Sequence, residues 1–363
     1  MRTPAGPSFL TVPGPLPAAR VRRRSDLPTP TVAAPATAPR AEPARHRSTA
    51  RHRPLVVAGI PRSGTTWTKQ VLEQDSTLVS IMEPDSEGYR AAAIRAKRDV
   101  GRFPVLRPGE WDEPYFRLWS WIVLGAPTTL RQRAAAGILR RTNPARRGAY
   151  FAGRPSPLMT AAGALADLPV DRVDPGLFRR GLLVKTVHAP LALEWVATEF
   201  DVDVLVVLRH PGSVLASWLE VRSPEQAVPF ADDDRVLRLA ASWGVRPPGP
   251  DRLERTVWQI GVLTTALRQA LTRQPGWSVR THEGLCADPV GGFRDLYQEL
   301  GLTWTDEVAA YIGERDRPGT GYVTKRVASV LPGNWRTRLT PAERTELFRV
   351  LSWFPDSAGV DGD

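Results

Sequence analysis

Apolar residues recur along this chain in two rhythms. Three short runs are almost continuously apolar: LVVAGI at 55–60, LLVKT at 182–186 and DVLVVL at 203–208. Runs of this kind are what strands covered on both faces of a parallel sheet present. With two weaker candidates they predict strands at about 54–60, 78–82, 181–187, 202–208 and 277–281. Helical spacing predicts helices near 65–75, 189–200, 211–221, 251–273, 290–300 and 340–351. The alternation predicts an α/β protein, three-layer α/β/α around a central parallel sheet. Residues 84–180 break the rhythm with WDEPYFRLWSWIVLG and RQRAAAGILRRTNPARR, and are predicted to be a helical insertion over the sheet edge.

Composition narrows this picture. One cysteine, Cys286, excludes an intramolecular disulfide and favours a reducing compartment, with cytoplasm the expectation. No apolar run approaches the roughly 20 residues needed to span a bilayer, and the N-terminus lacks the apolar centre of a secretory signal. The net charge of +11 is uneven. Residues 1–53 hold ten arginines and ten prolines against Asp26 and Glu42, a net of +8, which leaves +3 for the rest. That segment is expected to be a disordered tail, followed by one domain over 54–355 and a flexible end at 356–363. A nearly neutral domain argues against a nucleic-acid partner. No internal repeat of fixed period is present.

Two stretches carry candidate chemistry. Residues 59–67 read GIPRSGTTW, directly after the first apolar run. Gly59 and Gly64 have the spacing of a nucleoside-triphosphatase loop, but Thr65 stands where the phosphate-binding lysine would be. A strand, a tight loop and a helix beginning near Thr65 still aim the helix's first N–H groups at an anion. The positive charge has moved into the loop, to Arg62. The second stretch is VLVVLRHPGSVLASW, again strand, turn and helix, with Pro211 suited to the first helical turn. Arg209 at the strand end and Ser217 two turns into the helix can meet on one anion. Together the stretches imply a ligand with two separated phosphates.

This pair resembles the motifs of the sulfotransferases that use 3′-phosphoadenosine-5′-phosphosulfate (PAPS). PRSGTTW is similar to their 5′-phosphosulfate loop, and the R-x7-S of RHPGSVLAS to their 3′-phosphate motif. HEGLCADP with the helix after it, and GNWRTRLTPAE, extend the similarity over about 54–340. The resemblance implies a P-loop-like sulfotransferase fold with PAPS as donor, and the chemistry of sulfuryl transfer calls for no metal. It implies that Arg62, the amides of Ser63, Gly64, Thr65 and Thr66, and the threonine hydroxyls hold the 5′-phosphate. It also implies that Trp67 lies against the adenine and that Arg209 and Ser217 hold the 3′-phosphate. Lys325 and Arg326 are candidates for further phosphate contacts, and His282 replaces the family's usual tyrosine.

Sulfuryl transfer to an alcohol needs a base, and cations for the leaving bisphosphate. Glu83, in LVSIMEPD, stands at a strand's carboxyl end, where α/β sheets place ligands, and its Glu-Pro context is similar to that of carbohydrate-type members. His188, in VKTVHAP, is the other candidate, one residue out of the small-molecule members' register, which on a strand reverses the face. Lys185 is the candidate for charge stabilisation. Asp75 and Asp85 read as surface or capping residues. Trp111, Trp119 and Trp121 read as a sugar-stacking surface or, for most of the tryptophans, as core. The expected acceptor is a small molecule, glycolipid or glycan bound against residues 84–180. The rival readings are a small-molecule P-loop kinase and a non-catalytic nucleotide-binding protein.

Overall fold

The computed structural model describes residues 53–87, 90, 92–123, 130, 135, 157–158, 181–221, 230–315 and 333–355. The chain divides into two compact units, 1–48 and 49–363, and everything described belongs to the second. The expected tail, most of the expected insertion, and Lys325 and Arg326 lie outside the described residues.

In chain order the elements are β1 (Leu55–Ala58), α1 (Thr65–Leu72), β2 (Leu78–Met82), α2 (Ala92–Ala96), α3 (Glu113–Val123), β3 (Gly181–Thr186), α4 (Leu193–Phe200), β4 (Asp203–Leu208), α5 (Pro211–Glu220), a 3-10 turn (Phe230–Asp232), α6 (Asp234–Ser242), α7 (Arg252–Arg273), β5 (Ser278–Thr281), α8 (His282–Ala287), α9 (Pro289–Leu300), α10 (Asp306–Arg315), α11 (Trp335–Arg338) and α12 (Pro341–Leu351). The five strands form one parallel sheet in the order β2-β3-β1-β4-β5.

The continuous apolar runs have a direct structural cause. Strand side chains alternate faces, and here each face has its own core. Val56, Ala58, Val184, Val204 and Val206 join one hydrophobic cluster with α2 to α7 and α12. Leu55, Val57, Leu183, Leu205 and Val207 join a second with α1, α9 and α10. A strand covered on both sides has little room for polar residues along its middle, so the three-layer arrangement is written into the sequence as nearly continuous apolarity.

Strand order also locates the ligand side. From β1 the chain crosses to β2 on one side of the sheet; from β4 it passes to β5 on the other. The β1–β4 boundary is therefore a point where connections diverge, and the crevice at its carboxyl end is where open α/β sheets bind ligands. Both candidate loops leave from these two strands. Among the described residues no helix is long and apolar enough to cross a membrane.

Candidate functional site

The 59–67 loop is held by its carbonyl groups. Ser63 N–H donates to Ile60 O at 3.1 Å, the indole Nε1 of Trp218 in α5 donates to Pro61 O at 2.9 Å, and Arg209 Nη1 donates to Arg62 O at 2.8 Å. With three consecutive carbonyls engaged, the loop turns through Arg62 at φ 73° and Gly64 at φ 96° into α1. Gly64 must be glycine twice over. Its backbone is left-handed, and a Cβ would strike Cδ2 of His282. Gly59 is equally constrained, because a Cβ there would meet Val207 O at 2.7 Å. The first-turn N–H groups of α1 have no intrahelical acceptor, and the buried Ser63 Oγ beside them has no hydrogen-bond partner.

The second stretch converges on the first. Arg62 Nε donates to Ser217 Oγ at 2.9 Å across 155 residues of sequence, so Arg62, Arg209 and Ser217 form one chain of contacts over the β1–β4 crevice. The start of α5 is shaped by His210, whose Nδ1 accepts from Gly212 N–H at 3.0 Å while its ring stacks on Trp335 with centroids 4.6 Å apart. Its backbone N–H donates to Glu283 at 3.0 Å. Burial pulls Arg209 down to about 10, against the opposing charge of Glu283, so it keeps its proton at neutral pH. Its Nε–H has no partner.

Glu83 and Lys185 meet at the ends of β2 and β3. Lys185 Nζ donates to Glu83 Oε1, and Glu83 N–H donates to Lys185 O at 2.7 Å. Lys185 is 2% exposed and the Glu83 side chain 18%, so the pair is rooted in the core with the carboxylate at the rim. Glu83 has a φ of 41°. Besides Asp201 at the C-terminal end of α4, it and Arg62 are the non-glycine residues with positive φ among the described residues. A side chain is held in that region only where the surroundings over-determine it, and such positions gather at functional sites.

His188 stands apart from the phosphate loop. It is buried, with its ring edge-on to Phe103 at 5.5 Å and Nδ1 3.8 Å from Glu87. Burial, reinforced by the Lys97 charge, holds it well below the usual histidine range, and it is neutral. Of the reading of Asp85 and Asp75 as surface or capping residues, the structure corrects the surface part. Asp85 is fully buried, accepts from Thr186 Oγ1 at 2.7 Å and has its carboxyl raised by burial against the pull of Lys97. Asp75 is also buried. One of its oxygens closes a turn with Thr77 N–H at 2.8 Å, and the other accepts from Thr303 N–H at 2.9 Å. Asp85 Oδ1 has no hydrogen-bond partner, so Asp85 rests on Thr186, 101 residues away, whereas Asp75 has a near donor in Thr77 and a distant one in Thr303.

Trp67 packs edge-on against Phe293 at 4.9 Å and lies 6.0 Å from the ring of His282. His282 itself is buried under Gly64 and held neutral by burial beside Arg209. Of the insertion tryptophans, Trp119 is core and Trp111 is 64% exposed. Sequence reasoning missed Trp218 and Glu283, which shape the two loops. Both occupy helix positions whose patterning signals only packing or solvent.

No family model matches the sequence, and no curated protein matches it. Among solved structures, the chain is similar to the sulfotransferase domain from the curacin biosynthetic pathway, at 15% identity over 83% of this chain and 96% of that one, with a TM-score of 0.44. It is similar to mouse sulfotransferase SULT7A1 complexed with PAP at 11% identity, 86% and 87% coverage and a TM-score of 0.42. For sulfotransferase STF9 from Mycobacterium avium the values are 16%, 84%, 78% and 0.38.

Proposed function

We propose that this protein is a PAPS-dependent sulfotransferase that moves a sulfuryl group to a hydroxyl, or secondarily an amine, of a carbohydrate, glycolipid or secondary metabolite. One observation carries the reading: the R-x7-S pair and the phosphate loop are a single contact chain, Arg209 to the Arg62 carbonyl and Arg62 Nε to Ser217. A triphosphate kinase has no use for a second cationic pocket at that place.

The residues present suit two phosphates. Ser63 Oγ and the Arg209 Nε–H are buried donors without partners, a costly state unless a ligand satisfies them. The first-turn amides of α1 face the 5′-phosphate. Ser217 Oγ accepts from Arg62, which leaves its own O–H to donate to a 3′-phosphate oxygen. The donor supplies a sulfuryl group already attached to a good leaving phosphate. Glu83 has Oε1 engaged by Lys185, and Oε2 is left to take the proton of an incoming hydroxyl. As the acceptor oxygen bonds to sulfur and the bridging sulfur–oxygen bond breaks, Lys185 and Arg62 stabilise the negative charge passing to the bisphosphate.

Calorimetry without magnesium tests this, comparing adenosine 3′,5′-bisphosphate with ADP and ATP on wild type, Arg209→Ala and Ser217→Ala. The bisphosphate should bind best. Ser217→Ala should weaken it by about 10- to 100-fold, the worth of one hydrogen bond to a charged group, with ADP little changed. Arg209→Ala should cost more, because it also releases the loop. Preference for ATP, or indifference to both variants, would replace the reading with a kinase or a non-catalytic binder.

A further inference from the structure

The segment carrying the proposed base is acidic at every second residue: Glu83, Asp85 and Glu87. Facing it, the end of β3 offers Lys185, Thr186 and His188. The two series pair in order. Lys185 Nζ donates to Glu83, Thr186 Oγ1 donates to Asp85 Oδ2 at 2.7 Å, and His188 Nδ1 lies 3.8 Å from Glu87 Oε2. Backbone bonds fix the same turn, with Ser86 N–H donating to Glu83 O at 2.9 Å and His188 N–H to Thr186 Oγ1 at 3.2 Å.

The pairs differ in where they lie. Leu183 and Val184 belong to the cores on opposite faces of the sheet, so by alternation Lys185 and Thr186 also diverge. Lys185 takes Glu83 to the rim, whereas Thr186 takes Asp85 into the interior. The interior half is electrically closed. Glu87 has Arg102 Nε at 3.0 Å and Lys97 Nζ at 3.6 Å, and Lys97 also faces Asp85. Opposite charges facing one another inside the fold hold this half of the cluster as a scaffold. The residue that this scaffold constrains is Glu83, held at a φ of 41° between Lys185 and the Asp85 turn.

We infer that Thr186 and Asp85 form a latch that aims Glu83 at the acceptor hydroxyl, with Glu87 anchoring the far end of the same segment to Arg102 and Lys97. Thr186 and Asp85 are positioning residues for the transfer, and His188 serves the scaffold rather than the proton. The inference rests on the sulfotransferase reading with Glu83 as base.

The test compares wild type, Thr186→Val and Thr186→Ser as full chains. Valine keeps the shape and removes the hydroxyl; serine keeps the hydroxyl. Two readouts are taken: hydrogen exchange of the peptide containing Glu83 and Ser86, and transfer from PAPS to p-nitrophenyl β-galactoside. In Thr186→Val the Ser86 and Glu83 amides should exchange at least about tenfold faster, as a locally released turn does. Its kcat should fall on the order of 100-fold, the cost of a base displaced by about 1 Å. KM for PAPS and affinity for adenosine 3′,5′-bisphosphate should stay within about twofold, and Thr186→Ser should restore both readouts. Unchanged exchange in Thr186→Val overturns the latch. Faster exchange with intact kcat overturns its positioning role, as does a fall in donor affinity that matches the fall in kcat. Wild type that binds no adenosine 3′,5′-bisphosphate would sink the sulfotransferase reading instead, while the exchange comparison would still decide the latch.

Discussion

Replacing Glu83 by glutamine separates its chemical role from its structural one. Glutamine keeps the size and still offers Lys185 a carbonyl oxygen, but it cannot take the acceptor proton. The structural cost follows from where the pair sits. Exposed ion pairs contribute about 0–1 kcal/mol, and removing one partner of a buried pair costs about 3–5 kcal/mol. Lys185 is almost fully buried and Glu83 is 18% exposed, which places Glu83→Gln at about 2–4 kcal/mol, because the lysine is left charged inside or must give up its proton. In a domain of about 300 residues that is a fall in melting temperature of about 3–6 °C. Lys185→Met added to Glu83→Gln removes the stranded charge and should recover most of the loss, a non-additivity expected of residues in contact. Turnover should not recover. Loss of the base costs about 100- to 10,000-fold in both variants, while adenosine 3′,5′-bisphosphate binding persists. Urea denaturation and a PAPS-coupled rate assay on wild type, Glu83→Gln, Lys185→Met and the double variant close the cycle. Glu83→Gln turning over within about tenfold of wild type would remove Glu83 from the chemistry, and a double variant no more stable than the single would refute the buried-pair account.

Two further outcomes follow from the same geometry. Gly59→Ala should destabilise the protein by about 1–3 kcal/mol through overpacking and abolish donor binding, because its Cβ would push against the Val207 carbonyl at 2.7 Å and Ser63; normal calorimetry in that variant would refute the packing argument. Burial holds the pKa values of folded His188 and His282 well below the ordinary histidine value of about 6.5, so the unfolded chain binds protons that the folded one does not. Stability should therefore fall with pH below that value, by about 1 kcal/mol for each histidine between pH 6.5 and about 5.5. Denaturation midpoints should show it, and His282→Asn should remove about half of the decline; midpoints independent of pH over that window would contradict the burial of these rings.

Strands β1, β3 and β4 were legible because both of their faces are covered, which turns tertiary burial into a local run of apolar letters; β2 and β5 are only half-buried and gave weaker signals. The helices α1, α4, α5, α7, α9 and α12 were legible from their periodicity. The short α8 and α11 were hidden inside segments read for their motif rather than their spacing, and α6 and α10 carry too few core residues to mark a stripe: Val236 and Ala240 in one, Val308 and Ile312 in the other. Arg62 and Arg209 could be singled out because each sits at a strand-to-helix turn, and Ser217 because it lies two turns into the helix that follows. Asp85 could not. A carboxylate reads as exposed by default, and what buries it is a threonine hydroxyl 101 residues away and a lysine from beyond α2. Pairing of this kind leaves no local signature.

The phosphate loop owes its shape to atoms that are not in it. Trp218 and Arg209, both from the β4–α5 unit, take the carbonyls of Pro61 and Arg62, so the fold itself fixes the amides, and on the proposed reading nucleotide binding need not meet the cost of ordering them. The nine residues GIPRSGTTW are for this reason not a transferable cassette. Grafted onto another strand–helix unit they would carry the glycines and the amide donors but lose the two clamps. The portable module is the pair of adjacent units, β1-loop-α1 with β4-turn-α5, moved together with their strand register.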